Sequence, residues 1–117
     1  MLPLQLLEYV DASGRSPFAG WFDSLNAPAA AKVVVALTRL RKGNLSNVRT
    51  VGSGVAEVRI DFGPGCRVYF GKDGDLIIVL LGGGTKKRQQ NDIASAVARW
   101  NDYKRIRRLG EPDALNP

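Results

Sequence analysis

From Val55 onward, apolar and polar residues take turns. Ala56, Val58, Ile60 and Phe62 point one way and Glu57, Arg59 and Asp61 the other, the period-two pattern of a strand with one face on a core. Gly63-Pro64-Gly65 supplies turn chemistry, after which Cys66, Val68 and Phe70 alternate with Arg67 and Tyr69. A hairpin closed over Gly63 to Gly65 pairs Phe62 with Cys66. Ile60 then faces Val68, Arg59 faces Tyr69 and Asp61 faces Arg67, with all the polar members on one sheet face. Asp73-Gly74 is a second hairpin signal and leads into Leu76 to Leu81, apolar on both faces and so a central strand. Gly82-Gly83-Gly84 release the chain from that strand into Thr85-Lys86-Lys87-Arg88.

The rest of the chain reads with a different period. Leu4 to Val10 is mostly apolar and forms a first strand. Ser16-Pro17 places a cap before a proline at the first helical position, and Phe18, Trp21, Phe22 and Leu25 follow at helical spacing, giving a helix over about 16–25. Pro28 opens a second helix in which Val33, Val34, Leu37 and Leu40 form one stripe and Gly43-Asn44 the stop, so the two helices make a hairpin. A last helix from about Gln89 to Tyr103 carries Ile93, Val97 and Trp100 on one side. The order is strand, helix, helix, three meandering antiparallel strands, helix. That is an α+β two-layer domain over residues 1–109, with 110–117 as a flexible tail.

Composition narrows the chemistry. The 117 residues are 44% hydrophobic and 24% charged, ordinary for one globular domain. The longest apolar run, Leu76 to Leu81, is far too short to cross a bilayer, and Met1 to Val10 has no signal-peptide pattern, so the expected location is the cytoplasm with no membrane partner. Cys66 is the sole cysteine and there is no histidine, which excludes an intramolecular disulfide, Cys-based metal clusters and Ser-His-Asp or Cys-His nucleophile systems. Any enzymatic proton transfer falls to Lys, Arg, Tyr, Asp or Glu. No cofactor or metal is expected.

Charge is unevenly placed. The net charge is +6, and residues 86–108, with eight bases and two acids, account for all of it. Such a concentrated positive field suits a polyanion or an acidic protein partner. Arg59, Arg67 and Tyr69 share one face of the hairpin, and Lys86, Lys87 and Arg88 emerge at the end of the neighbouring strand. Two guanidiniums, a phenol and lysines suit a phosphodiester: arginine holds non-bridging oxygens bidentately and stabilises charge developing at phosphorus. RNA brings its own nucleophile in the 2′-hydroxyl, and a dense positive cluster lowers the pKa of a lysine or a phenol that must act as base. The plainer alternative is an Asp61–Arg67 cross-strand ion pair with Arg59 over Tyr69. Gly82-Gly83-Gly84-Thr85-Lys86 lacks the spacing of a nucleotide-binding loop. Trp21, Trp100 and Cys66 read as core.

The run Gly54 to Ile60, then Gly63 to Phe70, then Leu80-Leu81 with a glycine-rich turn and Lys86, then Gln89 and Asp92-Ile93, resembles the HigB-like addiction-module killer proteins of the RelE/ParE toxin superfamily. Pro17-Phe18, Trp21, Leu25 and Gly43-Asn44 fit the same pattern, and the resemblance spans nearly residues 4–100. It implies a small bacterial or phage-derived toxin with a RelE-like α+β fold. Its neutralising partner is a cognate antitoxin, often a helix-turn-helix protein, held in a toxin–antitoxin hetero-oligomer. Characterised RelE-type and HigB-type members cut mRNA on the ribosome, without a metal, by 2′-hydroxyl attack.

Carried over by position, Arg59 and Arg67 hold and stabilise the scissile phosphate, Lys86 or Lys87 acts in proton transfer and Tyr69 orients substrate. Arg88, Arg99, Lys104 and Arg105 are then the RNA-docking bases. The chain departs from the pattern at Ile93, where RelE has a functional tyrosine, at Cys66 and Thr85, where the subgroup has Tyr and Asp, and in having no histidine. ParE-type members share the fold yet inhibit DNA gyrase without enzymatic action, and a degenerate toxin retained as a regulatory partner of its antitoxin is a further alternative.

Overall fold

The computed structural model describes residues 3–110. The tail expected at 110–117 thus lies, but for Gly110, outside the described residues. The elements are β1 (Gln5–Glu8), α1 (Pro17–Asp23), α2 (Ala27–Arg41), β2 (Val48–Gly52), β3 (Val55–Ile60), β4 (Cys66–Asp73), β5 (Ile77–Thr85), a 3₁₀ turn (Lys86–Arg88) and α3 (Gln89–Leu109). The strands form one sheet in the order β1-β5-β4-β3-β2. β1 runs parallel to β5, and β2 to β5 form an antiparallel meander.

Local chemistry starts and stops the helices where expected. Ser16 caps α1 by accepting from the Ala19 N–H at 3.1 Å, and Pro17 takes the first helical position. Asn26 caps α2 in the same way, accepting from Ala29 at 2.9 Å. At the other end of α2, Gly43 adopts φ +89° and its N–H and that of Asn44 return to the Leu40 and Arg39 carbonyls. Val33, Leu37 and Leu40 are buried from α2 as the stripe predicts, but Val34 is exposed and Ala29 takes its place in the core. α1 lies on β5 and α2 on β3. No helix of the described residues is long and apolar enough to cross a membrane.

The α+β class and element order hold, with four differences. β2 adds a strand that the sequence pattern does not announce, because an edge strand of Val48-Arg49-Thr50-Val51-Gly52 has little apolar face to alternate. α3 runs to Leu109, past Tyr103, and covers the second face of the sheet, so two layers become three. Phe18, Val33 and Leu40 pack on Val58, Ile60, Val68, Ile78 and Leu80 on one face. Ala96 and Trp100 pack on Val55, Tyr69, Val79 and Leu81 on the other.

The third difference concerns the glycines. Gly82, Gly83 and Gly84 do not release the chain but continue β5, pairing with Tyr69, Val68 and Arg67 after a bulge. A Cβ on Gly83 would overlap the Trp21 ring, and one on Gly84 would overlap the Asp92 carboxylate. The glycines form a lane into which α1 sinks Trp21 from one side and α3 sinks Asp92 from the other.

The β3–β4 register also differs from the expected one by two residues. Ile60 pairs with Cys66, Val58 with Val68, Arg59 with Arg67 and Glu57 with Tyr69. The cause is the turn. Phe62 leaves the ladder to pack against the core, its carbonyl accepts from Gly65 at 3.0 Å, and Gly63 and Gly65 take φ +59° and +84°. The loop therefore spans Asp61 to Gly65. A slip of two preserves the side-chain faces, so the polar residues still share one face, but it replaces every partner.

Candidate functional site

The shared polar face of β3 and β4 is not a solvated face. α3 closes over part of it, and Glu57 is 0% exposed there. Its Oε1 accepts from Gln89 Nε2 at 2.8 Å and from an Arg49 guanidinium nitrogen at 3.3 Å. Arg67 Nε lies 2.8 Å from its Oε2. That N–H is not aimed at the oxygen, so the contact is a close Coulombic pair rather than an aligned hydrogen bond. Arg67 is therefore partnered by Glu57 and not by Asp61. One carboxylate thus ties together β2, β4 and the first turn of α3.

Tyr69 stands opposite Glu57 and is 1% exposed, with its hydroxyl buried. Burial pushes its phenol up to about 12, and the negative charges of Glu57 and Asp92 push the same way against a smaller opposing pull from Arg67. The positive cluster expected to lower a phenol's pKa does not prevail here, because two carboxylates and desolvation outweigh it. Tyr69 belongs to the α3-side core and is closed off from solvent.

Beyond this buried group the sheet opens into a groove of about 670 Å³ at the end of β3, β4 and β5. Arg49, Arg59, Arg67 and Lys86 line it together with the Gly63-Pro64-Gly65 loop. The Lys86 N–H donates to the Gly65 carbonyl at 3.0 Å, which fastens the basic turn to the hairpin loop. Arg59 and Lys86 are exposed, while Arg67 is 4% exposed and forms part of the wall. The structure thus brings Arg59, Arg67 and Lys86 to one place. Lys87 and Arg88 are exposed on the same 3₁₀ turn and do not line the groove.

The bases of α3 divide into two kinds. Arg99 donates to the Leu81 carbonyl at 3.0 Å and lies against Gly82, and Arg105 pairs with Asp102 at 2.7 Å. Arg99 thereby ties α3 to β5, whereas Arg105 makes an exposed pair within the helix. Lys104 sits 5.7 Å above the Trp100 ring, which stacks on Tyr103 at 5.4 Å. Tyr103 and Arg107 both donate to Asp73, closing the far end of the helix onto the β4–β5 turn.

Two site residues were not anticipated. Arg49 was hidden with the unannounced β2. Glu57 sat in plain alternation with Arg59 and Asp61, and the signal that marks it, a carboxylate two rungs along from Arg67, appears only once the register is known.

An open groove lined by Arg49, Arg59, Arg67 and Lys86 gathers positive charge at one end of the α+β sheet. The family model described as "Phage derived protein Gp49-like (DUF891)" matches residues 20–101, a stretch that contains every residue of that groove. An uncharacterized protein of Haemophilus influenzae (strain ATCC 51907 / DSM 11121 / KW20 / Rd) is similar, 39% identical over 80 residues, which cover 68% of this chain and 81% of that protein. The chain belongs to the Gp49-like phage-derived family.

Proposed function

We propose that this protein is the toxin of a toxin–antitoxin pair and a ribosome-dependent mRNA endoribonuclease, neutralised by an antitoxin of helix-turn-helix type. The observation that carries the reading is the convergence of Arg59, Arg67 and Lys86 on one open groove. The likeness to RelE and HigB-type proteins, read from the hairpin motifs, supplies the reaction.

In this reading Arg59 grips the non-bridging oxygens of the scissile phosphate, and Arg67, held from behind by Glu57, stabilises the charge that builds there. The 2′-oxygen attacks the adjacent phosphorus while its proton passes to the amine of Lys86, the lysine that lines the groove. The bond from phosphorus to the 5′-oxygen breaks, and that oxygen takes a proton from water. The products are a 2′,3′-cyclic phosphate and a 5′-hydroxyl. Tyr69 supports the β4 strand from the core rather than touching substrate. Lys104 and Arg88 remain available for ribosome docking.

The test is induced expression followed by primer-extension mapping of cellular transcripts, with Arg59→Ala/Lys86→Ala as the main variant because both residues are exposed. Wild-type expression produces discrete cleavages, and the variant loses about 10²–10³-fold in cleavage rate while remaining folded. Growth arrest with uncut transcripts overturns the reading. Block of gyrase supercoiling by the purified protein, without cleavage of ribosome-bound mRNA, replaces it with a ParE-like inhibitor.

A further inference from the structure

A second groove, of about 450 Å³, opens between α2 and the outer end of β2 and β3. It shares residues of the 46–48 and 59–61 segments with the first, Arg59 and Asp61 among them, so the two join around the end of the sheet. Its α2 wall carries Lys32, Val35, Ala36 and Arg39. That spacing is a single helical stripe in which the two bases stand two turns apart, about 10.5 Å along the axis. Both bases are exposed. Asp61 is the one acid lining either groove.

The net charge outside residues 86–108 is zero, yet folding gathers Lys32, Arg39 and Arg59 along one track with Asp61 as its single acid, and adds Arg49, whose partner Glu57 is buried behind it. We infer that this track is a second binding site for single-stranded RNA, in which Lys32 and Arg39 hold backbone phosphates of the strand that leaves the Arg59–Lys86 groove.

The inference rests on the proposed function and extends it from the scissile phosphate to the flanking nucleotides. RNA suits the track better than an acidic protein segment. A protein segment anchors through large apolar side chains in apolar pockets, whereas these walls are chiefly polar and end in bases at both ends. Asp61, between the two ends, is an acceptor that a ribose 2′-hydroxyl meets and a deoxyribose does not. The site belongs to α2, far along the chain from the basic segment 86–108.

The experiment is equilibrium binding of a fluorescent, unstructured oligoribonucleotide to the purified full chain without ribosomes, repeated over a range of salt. Lys32→Ala/Arg39→Ala removes two phosphate contacts, so the log–log salt slope shrinks by about 1.4 and affinity at 0.1 M salt falls by about 25-fold. Arg15→Ala/Lys72→Ala removes the same charge away from the track and leaves the slope unchanged. Equal loss in the two pairs, or no loss from Lys32→Ala/Arg39→Ala, overturns the inference, as does an oligoglutamate peptide of the same charge competing as well as unlabelled RNA. If Arg59→Ala/Lys86→Ala weakens binding while Lys32→Ala/Arg39→Ala does not, the strand leaves by another route and the proposed function stands. If neither pair weakens it, both fall.

Discussion

Replacing Glu57 by alanine removes the carboxylate paired with Arg67 and leaves a guanidinium in a site where its side chain is 5% exposed. An uncompensated buried charge of this kind costs about 3–5 kcal/mol. The Gln89 hydrogen bond to the carboxylate adds about 1.5 kcal/mol or more. The Arg49 contact adds under about 1 kcal/mol, because that side chain is 60% exposed and water replaces its partner. The Arg67 contribution decides the outcome, and the sum of about 4.5–7.5 kcal/mol rivals the whole stability of a small domain. Urea unfolding followed by far-ultraviolet circular dichroism reads it: with a slope of about 1–3 kcal/mol per molar, the midpoint falls by about 1.5 M or more. The partner measurement is Glu57→Leu/Arg67→Met, which removes both charges while keeping volume, and which recovers most of the loss. A midpoint shift below about 0.5 M for Glu57→Ala refutes the reasoning. So does a double variant no more stable than the single one, since the damage would then be lost packing rather than a stranded charge.

The glycine lane gives a contrast in one element type. Gly83→Ala drives a methyl into the Trp21 ring and costs upward of about 2 kcal/mol, a fall of about 8–16 °C in thermal midpoint, whereas Gly20→Ala, exposed in α1 with open space at its Cβ, gains about 0.5–1 kcal/mol. Alkaline titration followed by phenolate absorbance finds Tyr9 and Tyr69 ionising near pH 12, Tyr9 because Asp102 accepts from its hydroxyl and Tyr69 because it is buried. The folded chain then keeps protons that the unfolded chain releases above the ordinary value of 10.0, so stability falls as pH rises from about 10 to about 12. At the acid end, burial works to raise the Asp73 carboxyl, but hydrogen bonds from Tyr103 and Arg107 outweigh it and hold the group below 3.8. Its contribution is present above that value and is lost as pH falls through the lowered one, a loss that Asp73→Asn abolishes in an acid-unfolding series.

Much of this protein is legible residue by residue. Ser16-Pro17 and Asn26 start their helices through a hydrogen bond three residues away, Gly43 ends one with its own backbone, and alternation sorts Val58 and Ile60 from Glu57 and Arg59. These are short-range effects, and sequence alone determines them. It also places Arg59, Arg67 and Lys86 as a possible group, because side-chain parity survives a slip of two in register. Partners do not survive it. That Arg67 meets Glu57 and not Asp61 depends on where Phe62 packs, and that Gly82 to Gly84 are strand rather than turn depends on Trp21 and Asp92 arriving from helices far away in the chain. The burial of Glu57 and Tyr69 likewise awaits α3, whose docking is written in no local pattern of β3 or β4. Tertiary structure alone decided which polar residues are sealed in and which line the groove, because desolvation and charge pairing are set by neighbours in space.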